Sequence, residues 1–253
     1  MVDVANEVET AELIGLRPRF GQAVGDPFSM VHHLVVSKAK LYFSRNLNPR
    51  LAMAAARFLR SPVECEFASP FSPGQRERFL KLNPNLSVPI LVEGDKTLWE
   101  ADAIVCRLSQ LANSDFWPMD DSLPDLVRWI SWGYWNFVRA CDRVHFERVT
   151  KQRYGIGPVR QDLVESGLKE FASSAAILEQ HLGAADWLVG KQVTYADFRV
   201  ACVLPFAGPA GLPLADFRRV EAWHARLMDI PAWRDPFAGL DAPELPPIPK
   251  SAV

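Results

Sequence analysis

The chain lacks the features that mark membrane, secreted and nucleic-acid-binding proteins. No apolar run approaches the length of a membrane-spanning helix, and no basic stretch followed by an apolar core marks the N-terminus as a signal peptide. The net charge of the 253 residues is only −2, so no electrostatic attraction to nucleic acid or to an anionic membrane is expected. We therefore expect a cytoplasmic protein that has neither nucleic acid nor membrane as a partner.

Cysteine is scarce and is not spaced for metal or redox chemistry. The four cysteines are Cys65, Cys106, Cys141 and Cys202. No two of them form a Cys-x-x-Cys motif, which excludes a zinc knuckle and a dithiol redox site. Cys106 and Cys202 lie in apolar helical patterns and are predicted to be buried free thiols, which suits a reducing compartment. No histidine belongs to a cluster of metal ligands, so no metal is expected.

The composition, 49% apolar and 23% charged residues, is that of a soluble globular protein long enough for two modest domains. In the first half, Leu41–Ser44 and Val63–Phe67 are predicted strands on either side of a helix that begins near Pro49. This order predicts a parallel pair of strands with a right-handed crossover. Ser72–Gln75 has the pattern of a capping box and predicts the start of a second helix.

A β-hairpin followed directly by a helix is predicted next. Two short strand patterns, Val88–Val92 and Thr97–Trp99, are separated by a Gly-Asp turn. Pro89 cannot donate to a sheet ladder and belongs at the start of a strand, so the peptide bond before it is a candidate for the cis form. Glu100 ends the second strand and opens a helix, whose free N–H groups can hold a small polar ligand. The helical repeat is formed by Ile104, Val105, Leu108 and Leu111.

The second half of the chain shows only helical patterns. After a predicted linker at 113–121, Ser122–Asp125 has the pattern of a capping box and opens a long helix. Val159–Leu182 is predicted to be a second long helix. Thr194 and Asp197 form a third capping box, which we expect to be structural.

The two ends of the chain do not fit either pattern. Residues 1–38 are predicted to form an N-terminal extension, with a short helix over 2–16 and a strand over 30–36. Residues 238–253 are a proline-rich tail that is predicted to be extended.

Over about residues 39–237 these motifs resemble the glutathione transferase family. The features that carry the resemblance are the Val88-Pro89 strand, the hairpin, the acidic residue that opens the third helix, and the Thr194 and Asp197 box. The resemblance implies a thioredoxin-like α/β domain at 39–112 followed by an all-helical domain at 122–237. The class implied is a bacterial one, similar to nu or theta.

The resemblance also implies that glutathione is the co-substrate. The Val88 backbone before Pro89 would pair with the cysteinyl part of glutathione, and Glu100 would meet the γ-glutamyl amine. The family has Glu-Ser where this chain has Glu100-Ala101, so only the Ala101 N–H would meet the γ-glutamyl carboxylate. A hydrogen bond to a charged group contributes about 1.5–3 kcal/mol, so we expect weak or unusual glutathione binding.

The thiol of glutathione reacts as the thiolate, and the family places a thiolate donor in the loop after the first strand. No cysteine lies in this loop, which disfavours a mixed disulfide with the protein. Leu47 takes the position of the theta-like serine, and Asn48 matches the asparagine of nu-like members. Asn46 is the neighbouring alternative. If neither acts on sulfur, both are turn residues and Asn48 caps the helix.

An electrophile pocket is implied between the two domains, on the first long helix of the second domain. Its candidate residues are Trp132, Trp135, Asn136 and Arg139, together with Tyr134. The alternative is that the tryptophans belong to the core stripe of the helix.

We therefore expect a glutathione transferase that directs the thiolate onto a small hydrophobic electrophile and works as a homodimer. One alternative is a glutathione-dependent reductase or lyase. The other is a non-catalytic binding or assembly protein, which the alanine at position 101 favours.

Overall fold

The computed structural model describes residues 39–248. The helix predicted over 2–16, the strand predicted over 30–36 and the last residues of the tail lie outside this range.

The N-terminal half of the described chain is a mixed four-stranded sheet with helices on both faces. Its elements are β1 (Lys40–Phe43), α1 (Leu47–Phe58), β2 (Glu64–Phe67), α2 (Arg76–Leu82), β3 (Ile90–Glu93), β4 (Lys96–Trp99) and α3 (Ala101–Leu111). The strand order is β2-β1-β3-β4, with β1 parallel to β2 and antiparallel to β3. The predicted element order and the parallel crossover are therefore confirmed.

Alternation along β1 distributes its side chains between the two faces of the sheet. Leu41 and Phe43 belong to a buried cluster with residues of α1 and α3. Tyr42 points to the other face and packs edge-on against Phe79 of α2, with ring centroids 5.4 Å apart. Helices α1 and α3 therefore cover one face of the sheet, and α2 covers the other.

The C-terminal half is helical. Residues 123–154 form a continuous helical stretch of α4 (Leu123–Gly133), a π-helical turn (Tyr134–Val138), α5 (Arg139–His145), a second π-helical turn (Phe146–Thr150) and α6 (Lys151–Tyr154). The remaining helices are α7 (Gln161–His181), α8 (Tyr195–Ala201), α9 (Ala207–Ala210), α10 (Arg218–Met228) and α11 (Pro231–Arg234). Short 3-10 turns lie at Leu204–Phe206 and Leu214–Asp216.

The two halves share one hydrophobic core. Leu51 of α1 and Val105 of α3 belong to the same buried cluster as Phe198 of α8. The predicted linker is part of this contact, because Phe116 is buried and its carbonyl accepts the Tyr195 N–H at 2.8 Å. The contact between the two halves is thus fixed by packing, and residues 113–121 do not form a free hinge.

Two of the three predicted capping boxes are wrong. A turn containing Gly74, whose φ is 77°, follows Ser72, and α2 begins only at Arg76, without a side-chain cap. At the start of α4, the Ser122 hydroxyl donates to Asp120 Oδ1 at 2.6 Å instead of capping the helix. In both places the serine belongs to a local turn and does not cap the helix.

Candidate functional site

A cavity of about 320 Å³ lies where the two halves meet. Its lining includes Asn46, Leu47, Asn48 and Val88 from the first half and Tyr134, Trp135, Arg139 and Asp142 from the second. The structure therefore brings together both predicted thiolate donors, one predicted glutathione contact and three of the five candidate electrophile residues.

The loop before α1 presents the two asparagines differently. The helix begins at Leu47, two residues earlier than predicted, because its first turn accommodates Pro49. Asn46 occupies the N-cap position without a side-chain capping bond. Asn48 is the second helical residue, and its Oδ1 accepts a hydrogen bond from Arg199 Nη1 at 3.2 Å. The alternative that Asn48 caps the helix is therefore wrong.

Sequence reasoning missed Arg199. Its side chain is only 5% exposed, and its Nε lies 3.1 Å from Asp102 Oδ1. The Tyr195 hydroxyl donates to the same carboxylate oxygen, and the guanidinium lies over the Tyr134 ring, 5.0 Å from its centroid. The signal that could have found it is a charged residue inside the otherwise buried helix α8.

The peptide bond between Val88 and Pro89 is cis, as predicted. β3 begins at Ile90, which pairs with Tyr42, so Val88 precedes the ladder. Within residues 39–248, the Val88 N–H has no hydrogen-bond acceptor. The Val88 backbone is thus available at the wall of the cavity.

Glu100 and Ala101 lie at the N-terminus of the 11-residue helix α3. Ile90 pairs with Trp99 across the hairpin, so Val88 and Ala101 lie at the same end of the sheet. Glu100 is exposed and has a φ of 72°, which is unusual for a residue other than glycine and often marks a functional position. Ala101 is 3% exposed, and its methyl group packs in the core shared by the two halves.

Two of the predicted electrophile residues do not line this cavity. Trp132 packs edge-on against Trp129, and its carbonyl accepts from Asn136 Nδ2 at 2.8 Å. Trp132 instead lines a separate cavity with Trp129 and His181. Asn136 faces a different, more polar cavity between the π-helical turn and α7, which Trp135 and Arg139 also line.

A second cavity of about 460 Å³ adjoins the first through Asn46, Leu47 and Asp142. Its walls are more aromatic and include Phe146, Tyr154 and Phe206, with Leu245 from the extended tail. The tail is held there by an ion pair of 2.7 Å between Arg45 Nη2 and Glu244 Oε1. Sequence reasoning did not predict that the tail contributes to the site.

Asp142 and His145 place two titratable groups on the same helix face. Desolvation by the surrounding protein raises the pKa of the Asp142 carboxyl, although part of the side chain stays open to solvent. Burial lowers the pKa of His145, and the positive charge of Arg153 acts in the same direction. In both groups burial acts against the charged form.

Asp197 forms a buried network at the start of α8. Its Oδ2 accepts from the Thr194 N–H at 2.9 Å, and its Oδ1 accepts from the Leu188 N–H and from Trp223 Nε1. Burial raises the pKa of the Asp197 carboxyl to about 6, although the hydrogen bonds act in the opposite direction.

The described residues hold no group of three or more side chains suited to bind a metal ion. The four cysteines are free thiols; Cys202 is buried as predicted, whereas Cys106 is only half-buried. Among the helices of residues 39–248, none is both long and apolar enough to span a membrane.

Two family models match the chain. The glutathione S-transferase N-terminal domain matches residues 37–108, and the C-terminal domain matches residues 161–226. Together they cover more than half of the chain. The chain belongs to the glutathione S-transferase family.

Relatives of known name are distant. The chain is 28% identical over 182 residues to glutathione S-transferase 3 of Zea mays, a match covering 69% of the chain and 80% of that protein. It is 30% identical over 166 residues to dichloromethane dehalogenase of Methylophilus leisingeri, a match covering 62% of this chain and 61% of that protein. A 26% match to elongation factor 1-gamma 2 of Oryza sativa subsp. japonica covers 83% of the chain but only half of that protein.

A solved structure supports the same fold. Glutathione S-transferase-I bound with lactoylglutathione has a TM-score of 0.72 at 22% identity, covering 79% of this chain and 99% of that chain. The predicted architecture, a thioredoxin-like domain followed by an all-helical domain, is confirmed.

Proposed function

We propose that this family member binds glutathione, stabilises its thiolate and directs the sulfur onto a small hydrophobic electrophile. Family membership supports glutathione transfer in general. The finer proposal rests on one observation: Asn48, Val88 and Trp135 surround a single cavity between the two halves.

Glutathione binding would use the backbone at one end of the sheet. The unpaired Val88 N–H would bond the cysteinyl part of the tripeptide. The Ala101 N–H, at the N-terminus of α3, would meet the γ-glutamyl carboxylate, where the helix dipole favours an anion. The exposed carboxylate of Glu100 would accept from the γ-glutamyl amine.

Thiolate stabilisation is assigned to the Asn48 amide. A free thiol has a pKa of about 8.5, so N–H donors that bond only the sulfur anion increase its population at neutral pH. The thiol proton leaves to solvent, and the sulfur lone pair forms a bond to the electrophilic carbon. The leaving group departs with its bonding electrons. Trp135 and the aromatic second cavity supply apolar surface for the electrophile.

A second candidate is a non-catalytic glutathione-binding or assembly protein. Two observations favour it: the match to an elongation factor 1-gamma covers most of the chain, and alanine replaces the family serine at position 101. Reductase or lyase chemistry remains the alternative within the enzyme class, because it would use the same thiolate.

The test compares the thiol pKa of bound glutathione in three proteins by ultraviolet titration. Asn48→Leu keeps the size of the side chain and removes the N–H donors without adding a charge, so the thiol pKa should rise, and conjugation of chlorodinitrobenzene should fall at least about tenfold. Asn46→Ala, which changes the same cavity wall, is the matched control and should leave the pKa unchanged. Wild-type protein that binds glutathione without lowering its thiol pKa would support the binding protein instead.

We also propose a cytoplasmic homodimer, which family membership supports. Phe71, 75% exposed in the loop before α2, is an apolar side chain that a partner subunit could cover. Light scattering on purified protein should give twice the chain mass of 28.4 kDa, and a mass of one chain would contradict the proposal.

A further inference from the structure

Arg199 is a buried charge at the contact between the two halves. Only 5% of its side chain is exposed, and a buried guanidinium is costly unless other groups compensate its charge. Asp102 supplies the countercharge from α3, and the Tyr134 ring supplies a π face. The remaining partner is the neutral amide of Asn48.

The chemistry of this pair determines how the Asn48 amide is oriented. A guanidinium has donors and no acceptor, whereas an asparagine amide has one accepting oxygen and one donating nitrogen. Arg199 can therefore bond only the oxygen, and the opposite orientation would place two donors against each other. Asn48 Nδ2 is then turned away from Arg199, and within the described residues it has no hydrogen-bond partner.

From this geometry we propose that Arg199 is a positioning residue, which holds Asn48 Oδ1 so that Nδ2 presents its N–H groups to the sulfur of glutathione. The inference rests on the proposed function and extends it. Arg199 does not itself contact the ligand. Its charge polarises the amide through the oxygen, which strengthens the donors on the nitrogen.

Arg199 is held in place from three directions. Asp102 attracts the guanidinium as an ion pair, Tyr134 covers it, and α8 fixes the backbone through the Asp197 network two residues earlier. A side chain so restrained loses little entropy when it orders the Asn48 amide. The amide is therefore oriented before glutathione binds, which is the condition for effective anion stabilisation.

The alternative is that Arg199 only joins the two halves. Two variants separate these roles. Arg199→Met keeps much of the apolar stem and removes the donor to Asn48. Tyr195→Phe is the matched control, because it removes a bond to Asp102 in the same contact but leaves the bond between Arg199 and Asn48. Both should lower Tm, and only Arg199→Met should raise the thiol pKa of bound glutathione.

The expected rise is about one pH unit, which is a tenfold fall in the ratio of thiolate to thiol. Glutathione affinity measured by calorimetry should change less than about threefold, since the amide acts on the anion. Adding Arg199→Met to Asn48→Ala should shift the thiol pKa no further than Asn48→Ala alone, because Arg199 acts through Asn48. Additive shifts would overturn the inference, as would a pKa shift equal to that of Tyr195→Phe.

A measurement on wild-type protein covers the case in which Arg199→Met does not fold. In NMR spectra, the side-chain amide signals of Asn48 can be identified because they are lost in the Asn48→Ala variant, which keeps Asn46. These signals should shift when glutathione is added. S-methylglutathione, which has no thiolate, should shift them much less. Equal shifts with the two ligands would overturn the positioning role. If wild-type protein does not lower the thiol pKa at all, the proposed function fails. If it does and the Asn48 signals do not respond to the thiolate, glutathione transfer stands, but the role of Asn48 and this inference both fail.

Discussion

The indole N–H of Trp223 donates to Asp197 Oδ1 at 3.0 Å, which joins α10 to the start of α8 inside the helical half. The same carboxylate accepts the backbone N–H groups of Leu188 and Thr194 and the Thr194 hydroxyl. Asp197 is fully buried. A residue that the sequence suggests is a helix cap is therefore the common acceptor of a buried network.

Asp197→Ala should destabilise the protein by much more than a lost cap. A cap is worth about 1 kcal/mol, whereas breaking a buried charged network costs about 3–5 kcal/mol because buried donors are left without an acceptor. Chemical denaturation should show this difference. Thr194→Ala, which keeps the carboxylate, is the control and should cost only about 1 kcal/mol. Equal losses in the two variants would show that Asp197 acts as a cap alone.

Local patterns predicted the fold because strands and helices repeat their apolar residues at different periods. The hairpin and the order of elements in the first half follow from such patterns. The capping boxes did not all form, because a serine followed by an acidic or amide residue also suits a turn. Only the box at Thr194 and Asp197 is buried, and burial is a property of the tertiary fold.

The candidate site was predictable only in part. Val88 and Asn48 were named as site residues from the resemblance to the family, and both line the cavity. Arg199 is 151 residues from Asn48 along the chain, so no local pattern relates them. Likewise, Trp132 and Asn136 are close to Trp135 along the chain, yet of the three only Trp135 lines the cavity, and no local pattern shows this difference.

Glu100→Ala should abolish retention on immobilised glutathione and leave the fold intact. The side chain is exposed and forms no hydrogen bond that caps α3. The positive φ strains alanine and glutamate alike, because both carry a Cβ. Asp95→Ala removes a nearby exposed carboxylate from the hairpin turn and should be retained normally. If both variants elute with wild-type protein, Glu100 does not bind the γ-glutamyl amine.

Ala101→Ser should tighten glutathione binding by restoring the family hydroxyl. A hydrogen bond to a charged group contributes about 1.5–3 kcal/mol, which corresponds to at least a tenfold lower Kd. Calorimetry with glutathione measures the change. Ala101→Cys, which adds a weaker donor at the same place, is the control, and its affinity for glutathione should increase less. An unchanged Kd would show that a side chain at position 101, which packs in the core, does not reach the ligand.

His224→Gln should weaken the loss of stability that occurs as the pH falls from about 7 to 4. Burial lowers the pKa of His224 in the folded protein from 6.5 to about 4, and the charge of Arg50 adds to this effect. Below pH 6.5 the unfolded chain therefore binds a proton that the folded protein does not, and stability falls until the pH reaches the folded pKa.

The pKa of Asp197 is raised, so it contributes the opposite slope between pH 3.8 and about 6. The wild-type profile alone therefore cannot isolate the histidine. Because Asp197 is common to both proteins, the difference in unfolding free energy between wild type and His224→Gln removes its contribution. This difference should be constant from pH 7 to 8 and should move in favour of the variant as the pH falls from about 6.5 to 4. A difference that stays constant throughout would show that the folded protein binds the proton on His224 as readily as the unfolded chain does.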